Sequence, residues 1–303
     1  MPAVVVENLS KEYGRLRAVE GLSFTVAEGE VFALLGPNGA GKTTTMEILE
    51  GYRDRTAGRV SVLGVDPATG GRAYRERIGI VLQSAGFEEE FTVRELTRLH
   101  ASLYPRRYQP DEVIDLVGLS AKRDARVKTL SGGQRRRLDL ALGLVGAPEL
   151  LFHDEPTTGF DPSARHRAWD LIHRLRDLGT TILLTTHYME EAQQLADRVA
   201  VLRAGRLVAV GRPDELGDGG RPMSTLRFRL PAGISAGDLP ALAGKVATTD
   251  GLVEATTAWA TKDVHILTGW ALERDVELVG LTVGHPTLED VYLRLIEEAG
   301  DGD

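Results

Sequence analysis

The stretch Gly36-Pro37-Asn38-Gly39-Ala40-Gly41-Lys42-Thr43-Thr44 constrains this chain more than any other. It fits G-x-x-x-x-G-K-[ST], the pattern of a loop whose backbone amides cradle phosphate. Such a loop belongs between a buried strand and a helix, and the flanking residues supply both. The apolar run Val31-Phe32-Ala33-Leu34-Leu35 predicts a strand entering the loop. Thr44 to Glu50 predicts the first turns of a helix leaving it. Gly36, Gly39 and Gly41 let the backbone curl through φ values that other residues avoid. Pro37 has no N–H, so the amides from Gly39 to Thr44 must supply the anion nest. That nest lies at a helix N-terminus, where the dipole favours negative charge. In this pattern Lys42 reaches the β- and γ-phosphates and the Thr43 hydroxyl holds Mg2+.

A phosphate loop alone names a large class of nucleotide hydrolases. A second motif narrows it. Leu130-Ser131-Gly132-Gly133-Gln134 precedes an apolar-periodic segment, Leu138, Ala141, Leu142 and Val145, that predicts a helix. Ser131 is a natural cap, and the paired glycines leave the first amides open to an approaching anion. The chain therefore carries two separate sites built to receive phosphate, which one nucleotide cannot easily share within one compact domain.

The pentapeptide downstream of a phosphate loop resembles the signature of the ATP-binding cassette (ABC) ATPases. The resemblance implies two cassettes facing head to tail, the signature of one closing on the γ-phosphate held by the other. Leu150-Leu151-Phe152-His153-Asp154-Glu155 resembles the Walker B strand, with Asp154 toward Mg2+ and Glu155 polarising the attacking water. General-base assistance of that kind is worth about 10²–10⁴ in rate. Gly159-Phe160-Asp161-Pro162 resembles the D-loop, where Asp161 would communicate between the two sites. His187, after Ile182-Leu183-Leu184-Thr185-Thr186, matches the switch histidine that contacts the γ-phosphate. Gln83, at the end of Ile78-Gly79-Ile80-Val81-Leu82, matches the Q-loop glutamine on Mg2+. Tyr13 matches the aromatic that stacks on adenine, a contact worth roughly 1–3 kcal/mol. His153 and Phe160 depart from the common pattern, standing where an apolar residue and a leucine are usual; neither removes a catalytic group.

The resemblance implies an α/β fold: a P-loop NTPase ABC cassette with a mixed core sheet, an antiparallel β subdomain and an α-helical subdomain. A small α+β C-terminal domain follows. The expected division is an ATPase domain over 1–220 and an accessory domain over 221–303. Helices are expected over Thr92–Tyr104 and Pro110–Leu119, in the insertion that docks against a membrane subunit in this family. Arg203-Ala204-Gly205-Arg206 predicts a hairpin, and Gly217-Asp218-Gly219-Gly220-Arg221-Pro222 has a linker's composition. Beyond it, Leu226-Arg227-Phe228-Arg229-Leu230 alternates as a half-buried strand should. Val264-His265-Ile266-Leu267 and Val276 to Val283 are expected as further strands. Pro286-Thr287-Leu288-Glu289-Asp290-Val291-Tyr292-Leu293 opens a helix, with Thr287 as cap and Asp290 supporting it. This ending resembles that of ABC-2 type ATPases, which partner a separate permease and export drugs, polyketides, polysaccharides or lipids.

Composition sets the remaining bounds. Net charge is -8 with no basic arm, so nucleic acid is not an expected partner. No apolar run approaches the roughly 18 residues of a membrane span. Met1-Pro2-Ala3-Val4 lacks the basic start of a signal peptide. There are 0 cysteines, which removes thiol catalysis and Cys-based metal sites. The expectation is an ATP- and Mg2+-dependent homodimer, cytoplasmic, held at the inner face of the membrane through an ABC-2 type permease. The alternatives are a non-transport cassette acting on ribosome or DNA, and an importer ATPase.

Overall fold

The computed structural model describes residues 2–82, 86, 88–158, 160–216, 223–231, 233–284 and 288–292. It separates into two compact units, Met1–Arg212 and Pro213–Asp303.

The first unit is built on β3 (Val31–Leu35), a strand with every residue buried. A strand covered on both faces must be apolar throughout, which is why this run does not alternate. It lies inside a six-stranded sheet with β5 (Ile78–Val81), β6 (Leu150–Asp154), β7 (Thr181–Thr186), β8 (Arg198–Arg203) and β9 (Arg206–Gly211), in the order β5-β6-β7-β3-β8-β9. The pairs are parallel except β8 with β9, which close as the expected hairpin through Ala204 (φ 48°) and Gly205 (φ 80°). The carboxyl ends of β3, β6 and β7 therefore share one edge, where ligands of open parallel sheets bind.

A second, antiparallel sheet has the order β2-β1-β4, from β1 (Pro2–Tyr13), β2 (Leu16–Ala27) and β4 (Ala57–Val62). Leu22, Phe24 and Val26 point from it into the same core as β3, and Phe24 stacks on Phe32 with ring centroids 5.3 Å apart. Between β5 and β6 lies the helical part: α3 (Val93–Ala101), α4 (Pro110–Leu116) and α5 (Gly132–Leu144). Thr92 and Glu95 form a capping box on α3, and Pro110 opens α4, as the sequence chemistry requires. Helices α1 (Lys42–Leu49), α2 (Gly71–Arg75), α6 (Pro162–Asp177) and α7 (Met189–Leu195) complete the unit. No helix among the described residues is long and apolar enough to cross a membrane.

The second unit is an antiparallel sheet of order β11-β12-β10-β13, from β10 (Ser224–Arg229), β11 (Lys245–Thr249), β12 (Leu252–Thr257) and β13 (Val279–Gly284). Helix α8 (Ala260–Glu273) packs over a core that includes Leu226, Phe228, Val253, Leu267 and Trp270. The segment Val264–Leu267, expected as a strand, lies within α8. A run of four apolar-rich residues cannot separate strand from buried helix. The buried positions Asp263, Leu267, Trp270 and Ala271 instead follow the helical period. The hairpin of β11 and β12 had a signal in the sequence, since Asp250 (φ 49°) and Gly251 (φ 77°) are the Asp-Gly pair of a two-residue turn. Residues 288–292 are helical, with Leu288, Val291 and Tyr292 buried. Asp290 there accepts from Arg227 Nη2 at 2.6 Å, and Thr287 lies outside the described residues.

Candidate functional site

The loop after β3 is shaped by close packing at both ends. A Cβ on Gly36 would collide with the Leu202 carbonyl of β8, and one on Gly41 would lie 2.5 Å from the Ala18 carbonyl. Gly41 also has φ 97°, the left-handed region that favours glycine, and it caps α1 with no side-chain bond. The first turn of an α-helix leaves its N–H groups without intrahelical partners. Here no side chain takes their place, so the nest is open where Pro37, Asn38 and Gly39 lie exposed. Ala40 N donates to the Pro37 carbonyl at 3.1 Å, and the Ala40 carbonyl accepts from Gly205 N at 3.2 Å, which ties the loop to the β8–β9 hairpin. Thr43 is exposed and Thr44 half-buried at the loop's exit.

Lys42 is buried, its ammonium donating to the Gly36 carbonyl at 2.7 Å and the Pro37 carbonyl at 3.2 Å. Burial lowers its pKa, and the nearby carboxylates of Glu155 and Asp154 work against that. The charges of loop and sheet edge thus already sense one another.

Asp154 ends β6 and accepts a hydrogen bond from Thr185 Oγ1 on β7. Burial raises its pKa, reinforced by Glu155 and Glu47 and opposed by Thr185 and Lys42. Glu155 follows at φ 48°, a conformation that costs a non-glycine residue about 1–3 kcal/mol and persists only where its surroundings fix it. Its N–H donates to both the carbonyl and Oγ1 of Thr185, each at 3.1 Å. Its carboxylate takes Thr158 Oγ1 at 2.9 Å on one oxygen and meets His187 Nδ1 at 3.0 Å on the other. Burial pushes this carboxyl up, but the bonds from His187 and Thr158, with the charges of His187 and Lys42, hold it below the usual carboxylate range. Glu155 is therefore an ionised carboxylate at neutral pH, aimed by two partners.

The structure thus gathers Lys42, Asp154, Glu155 and His187 at one edge. Thr158 and Thr185 were not singled out in the sequence; a threonine ending a buried apolar strand was the available signal for Thr185. Asp154 ends β6 and Thr43 follows Lys42 in the first turn of α1; a carboxylate and a hydroxyl are hard oxygens, a donor set that suits Mg2+. Among the described residues no group of three or more His, Cys, Asp or Glu could hold a metal by itself. Mg2+ would accordingly share these oxygens with phosphate and water, as it usually does. Gln83 lies outside the described residues.

Ser131 caps α5: its Oγ accepts from Gln134 N at 3.3 Å and Gln134 Oε1 accepts from Ser131 N at 3.0 Å. Such a cap is worth about 1 kcal/mol. A Cβ added at Gly132 or Gly133 would meet nothing within 4 Å, so packing within this chain does not require either glycine. Ser131 and Gly133 line a cavity with Phe160 and Asp161, and no phosphate-loop residue lines it. Asp161 itself caps α6, accepting from Ala164 N at 2.9 Å and Ser163 Oγ at 2.7 Å. Gly159 is outside the described residues. Tyr13 is exposed at the end of β1, with Lys11 Nζ 5.1 Å and the Arg53 guanidinium 5.4 Å from its ring centroid. His166 stacks on Trp169 at 5.0 Å, an ordinary packing role. His153 is buried and pushed down to about 3 by burial and then by Arg136, so its imidazole is neutral.

Residues 19–158 match the ABC transporter family, and residues 224–287 match the C-terminal domain of ABC transporter domain-containing protein-like proteins. The daunorubicin resistance ATP-binding protein DrrA3 of Streptomyces coeruleorubidus is 40% identical over 304 residues, covering 97% of this chain and 95% of that protein. The Nod factor export ATP-binding protein I of Rhizobium etli is 45% identical over 223 residues, 72% of this chain and 71% of the relative. Among solved structures, an ATP-binding subunit of an ABC transporter superposes with TM-score 0.65 at 28% identity, over 71% of this chain and 92% of its own. CbiO1 of Clostridium perfringens, part of the ABC transporter complex cbiONQ, gives TM-score 0.65 at 29% identity over 72% and 91%.

Proposed function

This chain belongs to the ABC transporter ATP-binding proteins, and on that premise we propose that it powers an ABC-2 type exporter, as a head-to-tail pair beneath a separate membrane permease. That it is an ATPase follows from the family. The observation that supports a working engine is the gathering of Lys42, Asp154, Glu155 and His187 at the edge formed by β3, β6 and β7.

In this reading each residue has a task. The amides from Gly39 to Thr44 and the Lys42 ammonium hold the triphosphate, and Tyr13 stacks on adenine. Thr43, Asp154 and Gln83 would hold Mg2+, whose charge would offset that developing on the phosphoryl oxygens. Glu155 orients the attacking water with one oxygen while Thr158 holds the other, and His187 faces the γ-phosphate. Ser131, Gly132, Gly133 and Gln134 of the second copy complete the cage, with Asp161 passing the state of one site to the other. The open space at the Gly132 and Gly133 Cβ positions supports this face receiving something from outside the chain.

The names of the relatives support export rather than import, with daunorubicin resistance in one case and Nod factor export in the other. We assign the cargo to the same broad class, a drug, lipid, polysaccharide or other hydrophobic compound. The ATPase would lie on the cytoplasmic face, reached through the permease. The test is affinity purification of tagged Glu155→Gln from detergent-solubilised native membranes in MgATP. A co-purifying multi-span membrane protein is the expected result. Ribosomes, nucleic acid or no membrane protein would overturn the reading.

A further inference from the structure

His153 and Phe160 take no part in the chemistry above, yet both line one cavity of about 520 Å3 between α5 and α6. That volume lies in the range of small-molecule sites, roughly 300–1,000 Å3. Its walls combine two kinds of chemistry. Leu116, Val117, Leu140, Pro156, Phe160 and Leu171 supply apolar surface. Arg136 and Arg137 from α5 meet Arg167 and Arg174 from α6. Positions 167, 171 and 174 share a helix face, so the two cations flank an apolar residue.

Two carboxylates, Asp161 and Asp170, also line the space, and Asp161 is engaged in capping α6. The balance of charge is positive. Arg137 is held below its usual pKa by burial and then by the like charge of Arg167. Arg174 makes no side-chain hydrogen bond or ion pair among the described residues. One buried polar atom is also left over. His153 is 5% exposed, and its Nδ1 has no hydrogen-bond partner among the described residues. A buried polar atom left unpaired is destabilising, and a ligand oxygen in the cavity would relieve that cost.

We propose that this cavity binds a small amphipathic organic anion, with its oxyanion head among the arginines and a ring-sized apolar body on Leu140, Phe160 and Leu171. Arg136 also donates to the Glu155 carbonyl at 3.4 Å, and Ser131 and Gly133 share the same walls. An occupant that draws on Arg136 therefore reaches the backbone of Glu155 and slows hydrolysis. That consequence rests on the role proposed above for Glu155; the binding does not.

The probe is 8-anilino-1-naphthalenesulfonate, a sulfonate on an apolar ring body, titrated by fluorescence into the full-length chain. Saturable binding of one probe per chain is expected, with a matching fall in ATPase rate that added ATP does not relieve. Arg167→Gln with Arg174→Gln removes two exposed cations without touching the core, and should weaken binding at least tenfold. Ala168→Phe should fill the space and abolish binding. Both variants should keep basal ATPase activity. Unchanged probe affinity in both variants would overturn the site. Equal affinity for the uncharged N-phenyl-1-naphthylamine would overturn the anion class, and competition with ATP would overturn a site separate from the nucleotide's. Full occupancy without inhibition would overturn the brake. A wild-type chain that fails to hydrolyse ATP would count against the role of Glu155 and leave the fluorescence result standing.

Discussion

Glu155 shows how surroundings fix the conformation and charge of a single residue. Its φ of 48° is unfavourable, yet Thr185 holds its N–H by two bonds and Thr158 and His187 hold its carboxylate. Glu155→Gln preserves the shape and removes the charge. It should bind MgATP at wild-type affinity and lose about 10²–10⁴ in turnover, read in a steady-state assay. Wild-type turnover would remove Glu155 from the mechanism. Glu50 carries a different consequence. Burial, then the charges of Asp154 and Glu47, push its carboxyl up to about 7. In the unfolded chain it titrates near the ordinary value of 4.5. The folded state then holds more protons between these values, so this group's contribution is fully present below about pH 4.5 and lost as pH rises through about 7. Glu50→Gln should therefore stabilise the protein at pH 8, on the order of 3 kcal/mol at most, and change little at pH 5. Urea midpoints at the two pH values read this directly; no gain at pH 8 would refute it.

At the scale of elements, the N-terminus of α5 carries the proposed head-to-tail pairing. Its cap is complete within the chain through Ser131 and Gln134, while Gly132 and Gly133 face open space. Glycine in a helix is less favourable than alanine by up to about 1 kcal/mol, so folding gains nothing from Gly132. Gly132→Leu should leave thermal stability equal or higher and spare nucleotide binding. It should stop hydrolysis, because the defect falls on the nucleotide of the second copy. Normal ATPase activity in this variant would refute the head-to-tail arrangement. Element type was read well wherever a motif fixed it. The strand into the phosphate loop, the helix after Ser131 and the helix opened by Pro110 all lie where local chemistry puts them. It failed at Val264–Leu267, where the burial of Asp263, Leu267 and Trp270 decides the period and four residues cannot reveal it.

At the scale of the whole molecule, one core among the described residues gathers around Phe32 and Phe152 and another around Phe228 and Trp270. We propose that the catalytic domain ends by residue 220 and that the remainder is an accessory domain. Phe228 is 1% exposed in the second core. Phe228→Ala should cost that unit about 3–5 kcal/mol and leave ATP affinity unchanged, seen as a shift in one unfolding transition and not in a nucleotide titration. Loss of ATP binding would show that the two units do not stand apart energetically.

The phosphate loop, the helix after Ser131 and the strand ends that flank them are legible from contiguous residues alone. Each is a contiguous motif whose turn, cap or anion nest is made by neighbours in the chain. The aim of the Glu155 carboxylate was decided only by tertiary structure, because Thr158, Thr185 and His187 reach it from separate elements at distances set by packing. The arginine-lined cavity is of the same kind. His153 and Phe160 stood out in the sequence as two unrelated departures, and only the packing of α5 against α6 gives them one common space.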